Sequence, residues 1–270
     1  MTKIESLYHE LLKIEVATTK DIEEAASRIL KGSYSFRYIY NEYLSKLKRS
    51  GKLLHPRRGL YIAVPPLKIG HDNFQPDRYL VASKIQEPYY LGYHTALEIH
   101  GTAYSKYNEV YIVVPPDKKF REFEFKDINY RPVYNSSSDL GLQEIKYKEQ
   151  VIVTSSPGRT FIDCIDRPEY SGGWEECLKS LESLPGVKSK EIRNMLEVKE
   201  KEILYRKTGL ILSFFTENPY YDRVLSELEP YLKEKIGTSP MYLSRDSKSY
   251  LDEEWMLYVP KGFQDILRGV

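Results

Sequence analysis

Between residues 36 and 47 the apolar side chains Phe36, Ile39, Tyr40, Tyr43, Leu44 and Leu47 recur at steps of mostly three and four. That is the period of a helix with one buried face. Arg37, Asn41, Lys46, Lys48 and Arg49 fall between them, and Ser50-Gly51 supplies a stop, because glycine enters the left-handed region at little cost. Leu53-Leu54 and Leu60–Val64 then read as two strands joined by a tip of His55-Pro56-Arg57-Arg58-Gly59, closed by Pro65-Pro66. Upstream, Ile4, Leu7, Tyr8, Leu11 and Leu12 define a first amphipathic helix over Lys3 to Ile14. A second begins at Thr18 or Thr19, with Glu23 placed for a capping box, runs through Ile22, Ala25, Ala26, Ile29 and Leu30, and ends at Gly32. Three helices followed by a hairpin predict a winged helix-turn-helix over residues 1–66.

Residues 67–75 turn polar and read as a linker. Residues 76–270 predict a mixed α+β domain, a sheet with flanking helices and a helix-rich end. Pro76 to Ile85 and Tyr93 to Gly101 read as helices, and Pro88 to Gly92 as a short strand. Glu109 to Pro115, EVYIVVP, is a buried strand. Phe120, Phe123, Phe125, Ile128, Tyr130 and Val133 give hairpin strands, and Glu144 to Thr154 two more. Ser155-Ser156-Pro157-Gly158 opens a helix interrupted at Arg167-Pro168, and Gly172-Gly173 releases the next. Further helices are expected over Lys188 to Arg206, Leu210 to Phe215 and Tyr221 to Lys235, and strand-like residues occupy Met241 to Tyr258.

Charge sharpens the picture of the early segment. From Lys31 to Arg58 there are eight lysines and arginines against the single Glu42, a local +7 in a chain whose formal total is +1. Concentrated positive charge on one small element is the footprint of phosphate neutralisation. The expected double-stranded DNA contacts are Ser35, Arg37, Tyr38, Asn41, Lys46, Lys48, Arg49, Lys52, His55, Arg57 and Arg58. Ser35, Arg37, Tyr38 and Asn41 lie early on the third helix, the part that reaches base edges, where Arg pairs with guanine and Asn with adenine. A core-facing Tyr38 ring is the competing reading. Lys46, Lys48, Lys52, Arg57 and Arg58 are placed to hold phosphates or a minor groove.

Other chemistry finds less support. No apolar run approaches the roughly 20 residues that cross a bilayer, and the opening MTKIESLYHELLK lacks a signal-peptide core, so a cytoplasmic location is expected. Two cysteines, Cys164 and Cys177, read as buried free thiols. His94 and His100 are six apart, the wrong spacing for a zinc pair on one helical face, and no metal or cofactor is expected. Asp117, Glu124 and Lys126 imitate the acid, acid-x-lysine pattern of metal-dependent nucleases, with a short spacer. Ser156, Arg159 and Thr160 stand at a helix start but lack the glycine-rich loop of a phosphate cradle, and Arg159 is expected in a structural ion pair.

Four stretches taken together carry a resemblance: HPRRGLYIAVPP, YYLGYHTALEIHG, EVYIVVPP, and VIVTSSPGRTFIDCIDRPEYSGG with its Thr-Ser-x-x-x-Arg-Thr core. In that order they resemble the antitoxins of the Abi-E toxin–antitoxin type, over most of Ser33 to Gly173. The resemblance implies an N-terminal winged helix that binds operator DNA and represses its own operon; the expected operator is an inverted repeat upstream of the gene. It also implies a C-terminal domain that neutralises a nucleotidyltransferase-like toxin, with no catalytic activity of its own. On it, Phe36 through Arg49 correspond to the recognition helix and Arg57 and Arg58 to the wing. The rival expectation is a DNA-acting enzyme in which the winged helix delivers a nuclease-like domain.

Overall fold

The computed structural model describes residues 2–137, 139–244 and 248–268. The fold class is mixed α+β, as expected, and the chain divides into two compact units. The first comprises residues 1–88 and 120–130, and the second residues 89–119 and 131–270.

In the first unit, α1 (Lys3–Ile14) is capped by Thr2 and Glu5, which satisfy each other's backbone amides in a capping box. After β1 (Val16–Thr18), α2 (Thr19–Leu30) has the same device built from Thr18 and Asp21, not from Glu23. It ends at Lys31, which takes the left-handed conformation one residue before Gly32. Then come α3 (Phe36–Ile39), a π-helical turn (Tyr40–Leu44) and α4 (Ser45–Arg49), without a break. Strands β2 (Leu53–Arg57) and β3 (Leu60–Ala63) follow.

The three strands form one antiparallel sheet in the order β1-β3-β2. Leu53 pairs with Ala63 and Leu54 with Ile62, but Arg57 pairs with Leu60, so β2 carries one extra residue. That bulge falls at His55-Pro56, where proline has no amide to give the ladder. The hairpin tip is therefore Arg58-Gly59 alone, and His55, Pro56 and Arg57 belong to the strand. Tyr61 and Ala63 pack with Ala17 and Leu53 against Leu7, Leu11, Ile22, Ala26, Ile39, Leu44 and Leu47. Leu60 and Ile62, on the opposite face, are buried as well.

The unit does not stop at Pro66, and 67–75 is not a free linker. A 3-10 turn covers Pro66–Lys68, and α5 (Arg78–Ser83) is capped by Asp77. Lys84 reaches the Asp21 carboxylate at 3.4 Å, and the Lys126 ammonium donates to the Asp72 carbonyl at 2.8 Å. The unit also takes in β6 (Phe123–Phe125).

The second unit contains β4 (Tyr90–Leu91), α6 (His94–Ile99), β5 (Glu109–Val114), most of β7 (Ile128–Tyr134), β8 (Leu142–Tyr147) and β9 (Gln150–Ser155). The sheet order is β6-β7-β5-β4-β9-β8, with β4 parallel to β9 and antiparallel to β5. Helices α7 (Pro157–Asp166), α8 (Gly173–Glu182), α9 (Ser189–Lys199), α10 (Glu202–Phe214) and α11 (Pro219–Glu234) follow. The single helix expected over 188–206 is two, because Glu200 adopts the left-handed conformation and ends α9. The residues expected as a separate helix at 210–215 continue α10 almost to their end.

A last sheet of β10 (Met241–Tyr242), β12 (Leu257–Pro260) and β11 (Ser249–Asp252) precedes α12 (Asp265–Arg268). Residues 245–247, within the expected strand-like tail, lie outside the described residues. Trp255, fully buried, belongs to the same core as Phe161, Leu181, Leu196 and Leu210. A Cβ at Gly209 would stand 2.2 Å from its ring, so α10 meets the indole through bare backbone. Gly209→Ala should lower the stability of this unit by about 3 kcal/mol, as overpacking does, read as a lower urea midpoint; an unchanged midpoint would show that the indole moves aside freely.

Candidate nucleic-acid interface

The helical run from Phe36 to Arg49 is fixed by its apolar face and by its caps. Ser35 accepts the Tyr38 amide and so starts the helix. Ile39, Leu44 and Leu47 are buried, and the spacing of five between the first two is accommodated by the π turn. There the Ser45 amide donates to the Tyr40 carbonyl, and the Ser45 hydroxyl donates to the Asn41 carbonyl at 2.7 Å. A carbonyl that a π turn would leave short of a partner is thereby satisfied.

The opposite face is open. Arg37, Asn41, Lys48 and Arg49 are exposed, and Lys46 is exposed beside Glu42 at 3.3 Å. The Arg49 Nε donates to the Ser45 carbonyl, which holds its stem along the helix. Tyr38 is 43% exposed, which rules out the core-facing ring. Of the eleven side chains, Ser35, Arg37, Tyr38, Asn41, Lys46, Lys48 and Arg49 belong to the helical run or its cap, Lys52 to the turn after it, His55 and Arg57 to β2, and Arg58 to the hairpin tip.

Along the hairpin the expected contacts differ in availability. Arg58, exposed at the tip, is free of hydrogen bonds among the described residues. Lys52 is half-buried, with its ammonium 5.1 Å from the centre of the Tyr8 ring. His55 stacks on Tyr61 with ring centres 4.5 Å apart, and burial followed by the nearby Lys48 charge lowers its pKa. Arg57, expected at the tip, lies over the rings of Phe123 at 5.0 Å and Phe120 at 5.6 Å. Burial lowers its pKa, and its Nη1 has no hydrogen-bond partner. The bulge turns Arg57 onto the side of Leu60, so it is a packing residue of this unit and not a wing-tip cation.

The remaining candidates lie outside this surface. At the start of α7, Ser156 caps the helix, and the Glu191 carboxylate accepts from the Ser156 hydroxyl at 2.9 Å and the Gly158 amide at 3.2 Å. The place where a helix terminus would hold a phosphate is thus taken by the chain's own carboxylate. A Cβ at Gly158 would come within 2.5 Å of Glu191, which explains the glycine.

Arg159 is fully buried. It pairs with Asp163 at 3.0 Å, donates to the Tyr90 hydroxyl at 2.7 Å and reaches the Ser137 and Leu140 carbonyls. Lys199 adds a second cation 2.9 Å from Asp163 and 3.0 Å from Asp166. This is the expected structural ion pair, enlarged into a network. His94 is buried 3.2 Å from Glu176, and His100 bonds to the Ser155 carbonyl at 2.9 Å. Lys126 is bonded to the Asp72 carbonyl, while Asp117 lies 3.8 Å from Lys118. Among the described residues no three His, Cys, Asp or Glu converge as metal ligands, and Cys164 and Cys177 are buried free thiols.

No protein-family model matches the chain, and no curated protein matches it. Among solved structures, the crystal structure of the RV2827C protein from Mycobacterium tuberculosis aligns with a TM-score of 0.65 at 15% identity. The alignment covers 98% of this chain and 92% of that one, so the similarity extends over both units and is one of fold.

Two residues of the surface escaped the sequence reading. Tyr34 is 39% exposed and stacks on Tyr38, and the hydroxyl of Ser45 supports the π turn. The spacing of five between Ile39 and Leu44 was a signal for the latter.

Two outcomes are expected. Arg57→Ala should destabilise the first unit by about 1–2 kcal/mol through lost packing on the two rings, whereas Arg58→Ala should stay within about 0.5 kcal/mol of wild type; urea titration compares them. The lowered pKa of His55 means that its contribution to stability is present above the ordinary histidine pKa and is lost as the pH falls through the folded value. His55→Phe, which keeps a ring on Tyr61, should therefore lose less stability than wild type between pH 7.5 and 5, and equal losses would refute this.

Proposed function

We propose that the chain is a sequence-specific DNA-binding transcriptional repressor of the Abi-E antitoxin kind. In this reading residues 1–66 are a winged helix-turn-helix, Phe36 to Arg49 its recognition helix and Arg58-Gly59 the wing tip. The larger unit would neutralise a nucleotidyltransferase-like toxin in the cytoplasm. The observation that carries the reading is the open face of that helix. Arg37, Asn41, Lys46, Lys48 and Arg49 all project from a run whose other face is locked into the core. Helix, turn and basic hairpin tip follow in the order that places a helix in the major groove and a loop on the adjoining backbone.

The side chains divide by chemistry. Arg37 and Asn41 suit base edges, since Arg can donate two bonds to guanine and Asn can bond an adenine edge in both directions. Lys46, Lys48, Arg49, Lys52 and Arg58 suit phosphates. Arg57 and His55 support the hairpin, so their effect on DNA is indirect.

Binding to duplexes from the region upstream of the gene should fall steeply with salt. Lys48→Ala and Arg58→Ala should each lower the slope of log affinity against log salt by about one. Arg37→Ala and Asn41→Ala should each cost about 1–3 kcal/mol on the preferred site and leave binding to unrelated duplex nearly unchanged. Slopes and preferences that do not respond to these four changes would overturn the assignment.

A further inference from the structure

At the start of the candidate recognition helix two tyrosines lie open to solvent against each other. Tyr34 and Tyr38 stack with ring centres 5.2 Å apart and planes 21° apart, and remain 39% and 43% exposed. Tyr38 also meets Tyr43 edge-on, with ring centres 6.3 Å apart. A Cβ at Gly32 would come within 3.3 Å of the Tyr34 ring, so the glycine leaves that ring its position. Ser35, between the two, caps the helix. The pair is pre-organised by stacking but is left uncovered by its own unit.

The chemistry of the surroundings favours one occupant. Arg37 and Asn41 are exposed on the same helix, with Lys46, Lys48 and Arg49 on the turns beyond, so the face is strongly cationic. Stacked on each other and uncovered, the two rings offer aromatic surface beside these cations. In a major groove the apolar feature available to such a surface is the C5-methyl of thymine.

Resting on the DNA-binding reading above, we propose that Tyr34 and Tyr38 form a thymine-methyl reader that sets sequence preference next to Arg37 and Asn41.

The test begins with selection of preferred duplexes from a random pool by the full-length protein, followed by replacement of each selected thymine with uracil, which removes only the methyl. Wild type should lose about fourfold in affinity at one or two positions, the worth of one buried carbon group. Tyr38→Ala and Tyr34→Ala should bind the thymine duplex more weakly and should no longer distinguish thymine from uracil at those positions. Both should keep the wild-type salt slope and affinity for unselected duplex. Circular dichroism checks that they are folded, as exposed positions allow. If a duplex is selected but its affinity ignores the methyl groups, or the variants still distinguish the two bases, this inference is overturned while DNA binding stands. If no duplex is selected, the DNA-binding reading fails and this one with it.

Discussion

The N-terminal unit depends on burying one short strand on both faces. Leu60, Tyr61, Ile62 and Ala63 are all buried, and each edge of the strand is paired, to β1 on one side and β2 on the other. Apolar surface on both sides and a satisfied backbone make this the anchor to which three helices can be fixed in a unit of modest size. Tyr61 and Ala63 meet the helices, and the helices hold Ile39, Leu44 and Leu47 inward. The basic face of the third helix points outward because the other face has no alternative place to go.

The hairpin shows how one extra residue redistributes charge. Without the bulge at His55-Pro56, Arg57 would occupy the other side of the ribbon. With it, the guanidinium lies on Phe120 and Phe123, where a weakly hydrated planar cation packs better than an ammonium would. The local charge of +7 counted along the segment is therefore not all presented at the surface, and Arg58 alone carries the tip.

The second unit uses its charges inward. Arg159, Asp163, Asp166 and Lys199 join α7, α9, β4 and the carbonyls of Ser137 and Leu140 through buried ionic and hydrogen bonds. Burial alone would lower the pKa of Lys199, yet the two carboxylates hold it raised. Such a network ties its elements together, because truncating one member leaves its buried partners with less opposite charge to offset their desolvation. Glu191 at the start of α7 follows the same logic and occupies what otherwise resembles an anion site.

The sequence by itself determined the elements that depend on local period and local caps. The first helix, the apolar face of Phe36 to Leu47, the glycine stop at Gly51, strand β5 and the helix started by Ser156 were all legible, because neighbours within four residues decide them. So was the clustering of positive charge. Other features were partly written but needed their partners: LYIAV was apolar without alternation, the mark of a strand buried on both faces, and Ile39 to Leu44 was one residue too long for an α turn. Only the tertiary structure decided that β1 would pair with β3, that residues 76–88 and 120–130 would join the first unit, and that Arg57 would be withdrawn while Tyr34 and Tyr38 stayed open. These outcomes follow from contacts between residues tens of positions apart, where side-chain volume and the pairing of backbone groups choose among positions that composition and period leave equivalent.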